Sequence, residues 1–78
     1  MASMKSYVIN VRWDTEAKVW WAESSDIPGL VSEAETFPDL VQKVTAIAPE
    51  LIELNDDSTD DGTLIFNSVH VEPFQMHV

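Results

Sequence analysis

Five carboxylates in the first half of the chain are the residues with the clearest capacity for chemistry. They are Asp14, Glu16, Glu23, Glu33 and Glu35. Two-metal hydrolysis requires several carboxylates that converge on two metal ions, which hold the attacking and leaving oxygens. Asp14 and Glu16 lie in a predicted hairpin turn, whereas the others occupy outward positions of predicted strands. Because the chain has 14 acids in all, this distribution needs no active site, and we predict no catalysis, no metal site and no cofactor.

Two patterns in the second half partly match metal-binding sequences. The loop at residues 55–62 contains the series Asp57, Thr59 and Asp61. This series resembles the start of a calcium-binding EF-hand loop, but Ser68 stands where that loop requires a bidentate Glu. The other pattern consists of His70, Glu72 and His77. Its spacing matches no recognised ligand pattern, so we interpret the two segments as a solvated loop and a surface strand.

The charge of the chain restricts the choice of partner. The chain has 14 acidic residues and four basic residues, Lys5, Arg12, Lys18 and Lys43, so its formal net charge is −10. Direct nucleic-acid binding requires several Lys or Arg side chains that neutralise phosphates, so we predict none. A basic protein partner would be attracted by long-range steering. The alternative interpretation of the same charge is an acidic surface that serves solubility.

Length and composition predict one small domain with a thin core. A chain of 78 residues without cysteine has neither disulfides nor a zinc-thiolate site to support that core. Oligomerisation is the support left open, so we predict a homodimer or a higher oligomer. No apolar run approaches the roughly 20 residues of a membrane helix, and Asn10 and Arg12 interrupt the first apolar stretch. We therefore expect a cytoplasmic protein without a membrane partner.

Hydrophobic periodicity predicts three strands before a helix. The side chains of YVINVRW, residues 7–13, alternate between the two faces of a predicted strand, and VWWAES forms a second strand. DTEAK between them supplies turn residues, so we predict a hairpin over residues 7–24. Pro28 and Gly29 predict a type II turn, since glycine tolerates the positive φ that this turn requires. LVSEAE, residues 30–35, is a short alternating third strand.

One helix and a fourth strand complete the predicted fold. Thr36 can cap the helix and Pro38 fits its first turn. The apolar stripe consists of Leu40, Val44, Ile47, Leu51 and Leu54. Pro49 predicts a kink or a break into two helices. TLIFNSVHVE, residues 63–72, returns to strand character with a bulge near Asn67. The order β-β-β-α-β predicts an α+β domain: an antiparallel three-stranded meander, a fourth strand and a helix on one face of the sheet.

From Tyr7 to Asn55 the chain resembles the HicB-like antitoxin domain, whose fold is similar to a truncated ribonuclease H. The resemblance lies in Val19, Trp20 and Ala22 of the second strand, the IPG turn, the strand after it, the Thr36 helix start and the apolar helix. The string WDTEAKVWWAESSDIPGLVSEAET…LVQKV…APELIELN is similar to short, largely uncharacterised bacterial relatives of HicB. The sequence departs from HicB in having Ala34 where a glycine is common, and we expect no separate DNA-binding domain, which many HicB proteins carry.

The resemblance implies a single HicB-like domain over residues 1–78 that is not an enzyme. It implies an antitoxin role, in which the acidic domain masks a small, basic, RNA-cleaving toxin of the HicA type. One alternative is a stand-alone dimeric regulatory or ligand-binding module without a toxin. Another, from a different class, is a vestigial ribonuclease H-like nuclease. A short basic open reading frame beside the gene would favour the toxin pair over the stand-alone module.

Adjacent tryptophans place the predicted binding surface on the sheet. Successive strand residues point to opposite faces, so we predict Trp20 under the helix and Trp21 on the far face, beside Val8 and Val31. Tryptophan is enriched at interface hot spots, and one helix can cover only one sheet face. The predicted partner-binding residues are Trp21, Glu23, Val31, Glu33 and Glu35.

Overall fold

A computed structural model of the chain describes residues 5–56, 61–68 and 73–77. Its elements are strand β1 (Lys5–Asp14), strand β2 (Val19–Glu23), strand β3 (Val31–Ala34), helix α1 (Phe37–Asp56) and strand β4 (Gly62–Ser68). The predicted α+β class and the order β-β-β-α-β are confirmed. The predicted loop ligands Asp57 and Thr59, and the pair His70 and Glu72, lie outside the described residues.

The four strands form one mixed sheet in the order β3-β2-β1-β4. β1, β2 and β3 pair antiparallel as the predicted meander, and β4 pairs parallel to β1 after the chain crosses over through α1. β1 pairs with β2 through residues 10–14 and with β4 through residues 5–11, so only Asn10 and Val11 have partners on both sides. β4 pairs with β1 in unbroken register through Asn67 and Ser68, so the bulge predicted near Asn67 is absent there, and the residues directly after Ser68 lie outside the described residues.

The hairpin turn between β1 and β2 is held by Asp14. Its side-chain Oδ1 accepts hydrogen bonds from the backbone N–H groups of Glu16 at 3.0 Å and Ala17 at 3.1 Å. Its carbonyl oxygen accepts a bond of 2.8 Å from the N–H of Lys18, which has a φ of 57°. Asp14 therefore acts as the turn residue that the sequence predicts.

The Pro28–Gly29 turn inserts its two flanking residues into the core. The N–H of Leu30 donates to the carbonyl oxygen of Ile27 at 3.1 Å, and Gly29 has a φ of 86°, so the predicted type II turn is confirmed. Ile27 and Leu30 are both buried. The Asn55 side chain donates to the Pro28 carbonyl oxygen at 3.2 Å, which ties this turn to the end of α1.

Helix α1 begins at the predicted cap and continues through its proline. The Thr36 hydroxyl accepts a bond of 3.2 Å from the N–H of Asp39. Pro49 lies inside one continuous helix, so the break into two helices does not occur. Pro49 is on the exposed side while Val44 and Ala48 are buried, so packing against the sheet offsets the backbone bond that Pro49 removes.

The core lies between α1 and one face of the sheet. Its buried members are Ile9, Val11, Ala22, Ile27, Leu30, Ala34, Leu40, Val44 and Ala48. Leu54, which the sequence places on the apolar stripe of the helix, is instead 80% exposed in the last turn of α1. Within the described residues no polar side chain is buried, and no helix is long and apolar enough to cross a membrane.

Candidate protein-binding face

The sheet face opposite α1 is called the open face. It consists of Val8, Asn10 and Arg12 of β1, Trp21 and Glu23 of β2, Val31 and Glu33 of β3, and Thr63, Ile65 and Asn67 of β4. These residues alternate along their strands with the residues that contact the helix. No helix or strand of the described residues packs on this face. The open face is therefore a surface that the domain can offer to another molecule.

The two adjacent tryptophans point to opposite faces as predicted. Trp20 packs against the core, with its ring centroid 5.4 Å from those of both Trp13 and Phe37 in edge-to-face arrangements. Trp21 lies on the open face and is half-buried. The guanidinium carbon of Arg12 lies 4.6 Å above the centroid of the Trp21 ring, a cation–π contact.

The strand register sets the neighbours of Trp21. Arg12 is its partner on β1 and Glu33 is its partner on β3. The prediction that Val8 lies beside Trp21 is wrong, because Val8 is four residues from Arg12 along β1, a distance of roughly 13 Å. Val31 pairs with Glu23, in the cross-strand row next to that of Trp21. Trp21 is therefore set between a cation and a carboxylate.

Apolar groups on the open face remain in contact with water. Val8 is 37% exposed, Ile65 is 47% exposed and Val31 is 72% exposed. Val8 and Ile65 are cross-strand partners on β1 and β4 and form one apolar pair. Trp21 lies apart from that pair, so the open face carries separate apolar points with polar groups between them.

Of the five predicted partner-binding residues, four lie on the open face and one lies at its edge. Glu35 follows the end of β3 and lines a groove of about 490 Å³. The groove is lined by Val19, Glu33, Ala34, Glu35, Asp39, Gln42 and Lys43. Lys43 Nζ donates to the carbonyl oxygen of Glu33 at 2.9 Å, which holds this end of the helix against β3.

The fold does not bring into one cluster the five carboxylates that the sequence offers for two-metal hydrolysis. Asp14 binds the amides of its own turn, and Glu16 is exposed on that turn. Glu23 and Glu33 project from the open face, and Glu35 lies beyond β3. Among the described residues, no three His, Asp or Glu side chains are arranged to hold a metal ion.

Sequence reasoning missed the role of the segment between β2 and the Pro28–Gly29 turn. β2 ends at Glu23, so Val8 has no backbone partner on that side. The Ser24 hydroxyl donates to the Val8 carbonyl oxygen at 2.6 Å, and the Asp26 carboxylate accepts from the Val8 N–H at 2.7 Å. Ser24 Oγ also accepts from the N–H groups of Asp26 and Ile27. Two side chains thus replace a strand partner, and the signal in the sequence was the polar run SSD before the turn.

Replacing Ser24 with alanine should lower the free energy of unfolding by about 1–2 kcal/mol, because it removes one donor and one shared acceptor. Ser25→Ala is the matched control, since Ser25 is exposed and its side chain makes no hydrogen bond within the described residues. The control should change stability by less than about 0.5 kcal/mol. Urea denaturation followed by circular dichroism measures both, and equal values would contradict this role of Ser24.

Comparison with known proteins identifies the class of the chain. Residues 6–73 match a domain family described as a domain of unknown function, DUF1902, and the chain belongs to that family. A crystal structure of the hypothetical protein TTHA1013 from the extremely thermophilic bacterium Thermus thermophilus is similar, with 35% sequence identity and a TM-score of 0.79. The similarity covers 90% of this chain and 100% of that one. No curated protein matches this chain.

Proposed function

We propose that this protein is a non-enzymatic binding domain whose open face docks on the basic surface of another small protein. In the role that the HicB resemblance implies, the partner is a HicA-type RNA-cleaving toxin, and the domain acts as its antitoxin in the cytoplasm. The observation that carries the proposal is the position of Trp21 on an uncovered sheet face, between Arg12 and Glu33.

Trp21 has the properties of an interface anchor. Its ring is half-buried, and the sheet beneath it and the stacked Arg12 guanidinium restrict its position. A side chain that is already ordered loses little conformational entropy when a partner covers it. The exposed Val31, one cross-strand row away, enlarges the apolar area that a partner would cover. Trp21 is therefore the residue on which we expect binding energy to concentrate.

The charges around Trp21 favour a basic partner. Glu23 and Glu33 lie on the open face, and Glu35 lies at its edge. Among the described residues, Arg12 is the one cation on the open face. With a net charge of −10 on the whole chain, the long-range field attracts cationic surfaces and repels phosphate backbones. A toxin that cleaves RNA needs a basic surface for its substrate, and an acidic domain can cover such a surface.

The resemblance to HicB-like domains supports the toxin as the partner. The residues that carry it form the second strand, the type II turn and the capped helix of this structure, so they belong to one folded unit. The DUF1902 description assigns no activity, so the toxin remains a proposal that rests on the resemblance and on the sign of the charge.

A stand-alone dimeric module is the second candidate function. The observation that favours it is the sequence GTLIFNS of β4, an edge strand of seven residues without a charged side chain. Such an edge can associate with another copy without a toxin. The two candidates differ in whether a basic protein binds the open face.

The proposal is tested by measuring binding to the basic protein that a short open reading frame beside the gene encodes. If that protein is a HicA-type toxin, for which the resemblance implies a catalytic histidine, it is purified with this histidine replaced by alanine. Trp21→Ala should weaken binding by about thirtyfold, or on the order of 2 kcal/mol, mainly through faster dissociation. Glu33→Gln and Glu35→Gln should slow association and reduce its dependence on salt, since charges at an interface rim mostly steer the approach. Surface plasmon resonance at several salt concentrations separates the two effects.

Asp61→Asn is the matched control for the glutamate variants. It removes one exposed negative charge at the start of β4, away from Trp21, and should alter association less than either glutamate variant. Equal affinity of the original protein and Trp21→Ala would overturn the proposed anchor. The absence of a short basic reading frame beside the gene would favour the stand-alone module.

A further inference from the structure

The two edges of the sheet differ in their protection against pairing with another strand. β3 has only four residues, contains Glu33 and is followed by Glu35. The Lys43 ammonium group already binds the Glu33 carbonyl oxygen on this strand. Short length and charged side chains are the features by which proteins block edge-to-edge association. The β3 edge is therefore protected.

The β4 edge lacks these protections. β4 has seven residues, Gly62–Ser68, without a charged residue or a proline. β1 pairs along one side of it, and within the described residues no strand pairs along the other. Leu64 and Phe66 on the helix side are only half-buried, and Ile65 on the open face is 47% exposed. A long, uncharged, partly apolar edge is a template for another strand.

The sequence of β4 is complementary to itself when it is read antiparallel about Ile65. The cross-strand pairs would be Ile65 with Ile65, Leu64 with Phe66, and Thr63 with Asn67 of the second copy. Each of these pairs joins two apolar or two polar side chains. The two residues of each pair also lie on the same face of the sheet, so the apolar residues of both copies stay on the helix side or on the open face as they do in one copy. Because the strand carries no charge, two copies of a chain with a net charge of −10 can meet here without burying a carboxylate.

We propose that β4 pairs antiparallel with β4 of a second copy of this chain, about a two-fold axis that passes through the Ile65 pair. The axis is perpendicular to the sheet, so the two four-stranded sheets join into one sheet of eight strands. Both helices lie on one side, and the two open faces form one continuous surface with two copies of Trp21. This pairing goes beyond the proposed binding function and does not depend on it.

A cysteine at the two-fold axis tests the pairing directly, because the chain has no cysteine of its own. Residues directly opposite in an antiparallel pair have Cα atoms about 4.5–5.5 Å apart, within the range that a disulfide spans. Mild oxidation of Ile65→Cys should therefore give a covalent dimer on a non-reducing gel. Val31→Cys is the control on the β3 edge; at 72% exposure it is the more accessible site for random collisions. Cross-linking of Ile65→Cys no faster than that of Val31→Cys would overturn the proposal.

A charge exchange tests the register. Thr63 and Asn67 are exposed and roughly 13 Å apart along one strand, but they are partners across the proposed axis. The double variant Thr63→Lys/Asn67→Lys places like charges opposite each other twice, and Thr63→Lys/Asn67→Glu places opposite charges there. The first should dissociate with a dimer dissociation constant about tenfold higher than the second, measured by analytical ultracentrifugation.

Net charge alone would give the reverse order, since the variant with two added lysines is less negative and its copies repel each other less. Equal dissociation constants, the reverse order, or a monomer at every concentration of the original protein would each overturn the β4 pairing.

Discussion

Trp20→Ala should strongly destabilise this domain, whereas Trp21→Ala should change its stability only slightly. Trp20 packs against the core and contacts both Trp13 and Phe37, so its truncation should cost about 3 kcal/mol. A 78-residue domain lies at the lower end of the usual range of stability, roughly 5–15 kcal/mol. Thermal denaturation followed by far-UV circular dichroism should show a Tm lower by at least about 12 °C.

Trp21→Ala is the matched control for this prediction, one residue along the same strand. Its ring is half-buried on the open face, and its described ring contact is with Arg12. An exposed cation–π contact contributes about 0.5–1 kcal/mol, so the loss of stability should stay below about 1.5 kcal/mol. Equal destabilisation by the two substitutions would mean that both rings support the fold, and the binding role of Trp21 would lose its structural basis.

Ile27→Ala should be almost as damaging as Trp20→Ala, although Ile27 lies outside every helix and strand. Its side chain has no exposed area, because the Pro28–Gly29 turn directs it into the core. Removing this side chain leaves a cavity that the core cannot fill, with an expected loss of about 3 kcal/mol in the free energy of unfolding.

Val31→Ala provides the comparison for Ile27→Ala. Val31 lies in a regular strand but is 72% exposed, so its substitution should change stability by less than about 0.5 kcal/mol. Urea denaturation at constant temperature compares the two variants. If the strand residue proved more sensitive than the turn residue, the packing of the turn would differ from that described.

Elements with strong local signals were predictable from the sequence. Alternation defined the hairpin, the Thr36 hydroxyl marked the helix start, and the Pro28–Gly29 pair defined the turn and its positive φ. The same alternation assigned Trp20 and Trp21 to opposite faces. These features depend on residues close together in the chain, so a single sequence contains the information that specifies them.

Features that depend on pairing between distant residues were not predictable. The parallel alignment of β4 with β1 depends on the crossover through α1, and the position of Val8 relative to Trp21 depends on strand register. Leu54 is 80% exposed although it lies on the apolar stripe, since periodicity indicates the apolar face of a helix and not how far other elements cover it. The bonds from Ser24 and Asp26 to Val8 form only because β2 ends early.

The stagger of β1 between its two neighbours divides the sheet into unequal parts. β2 pairs with the second half of β1 and β4 pairs with the first half, and within the described residues only Asn10 and Val11 pair with both strands. A fluctuation that detaches β4 would therefore release the amides at the start of β1 to solvent and leave the hairpin and its helix in place. We expect the hairpin, β3 and α1 to open as one unit and β4 to open separately at a lower free energy, which amide hydrogen exchange would measure.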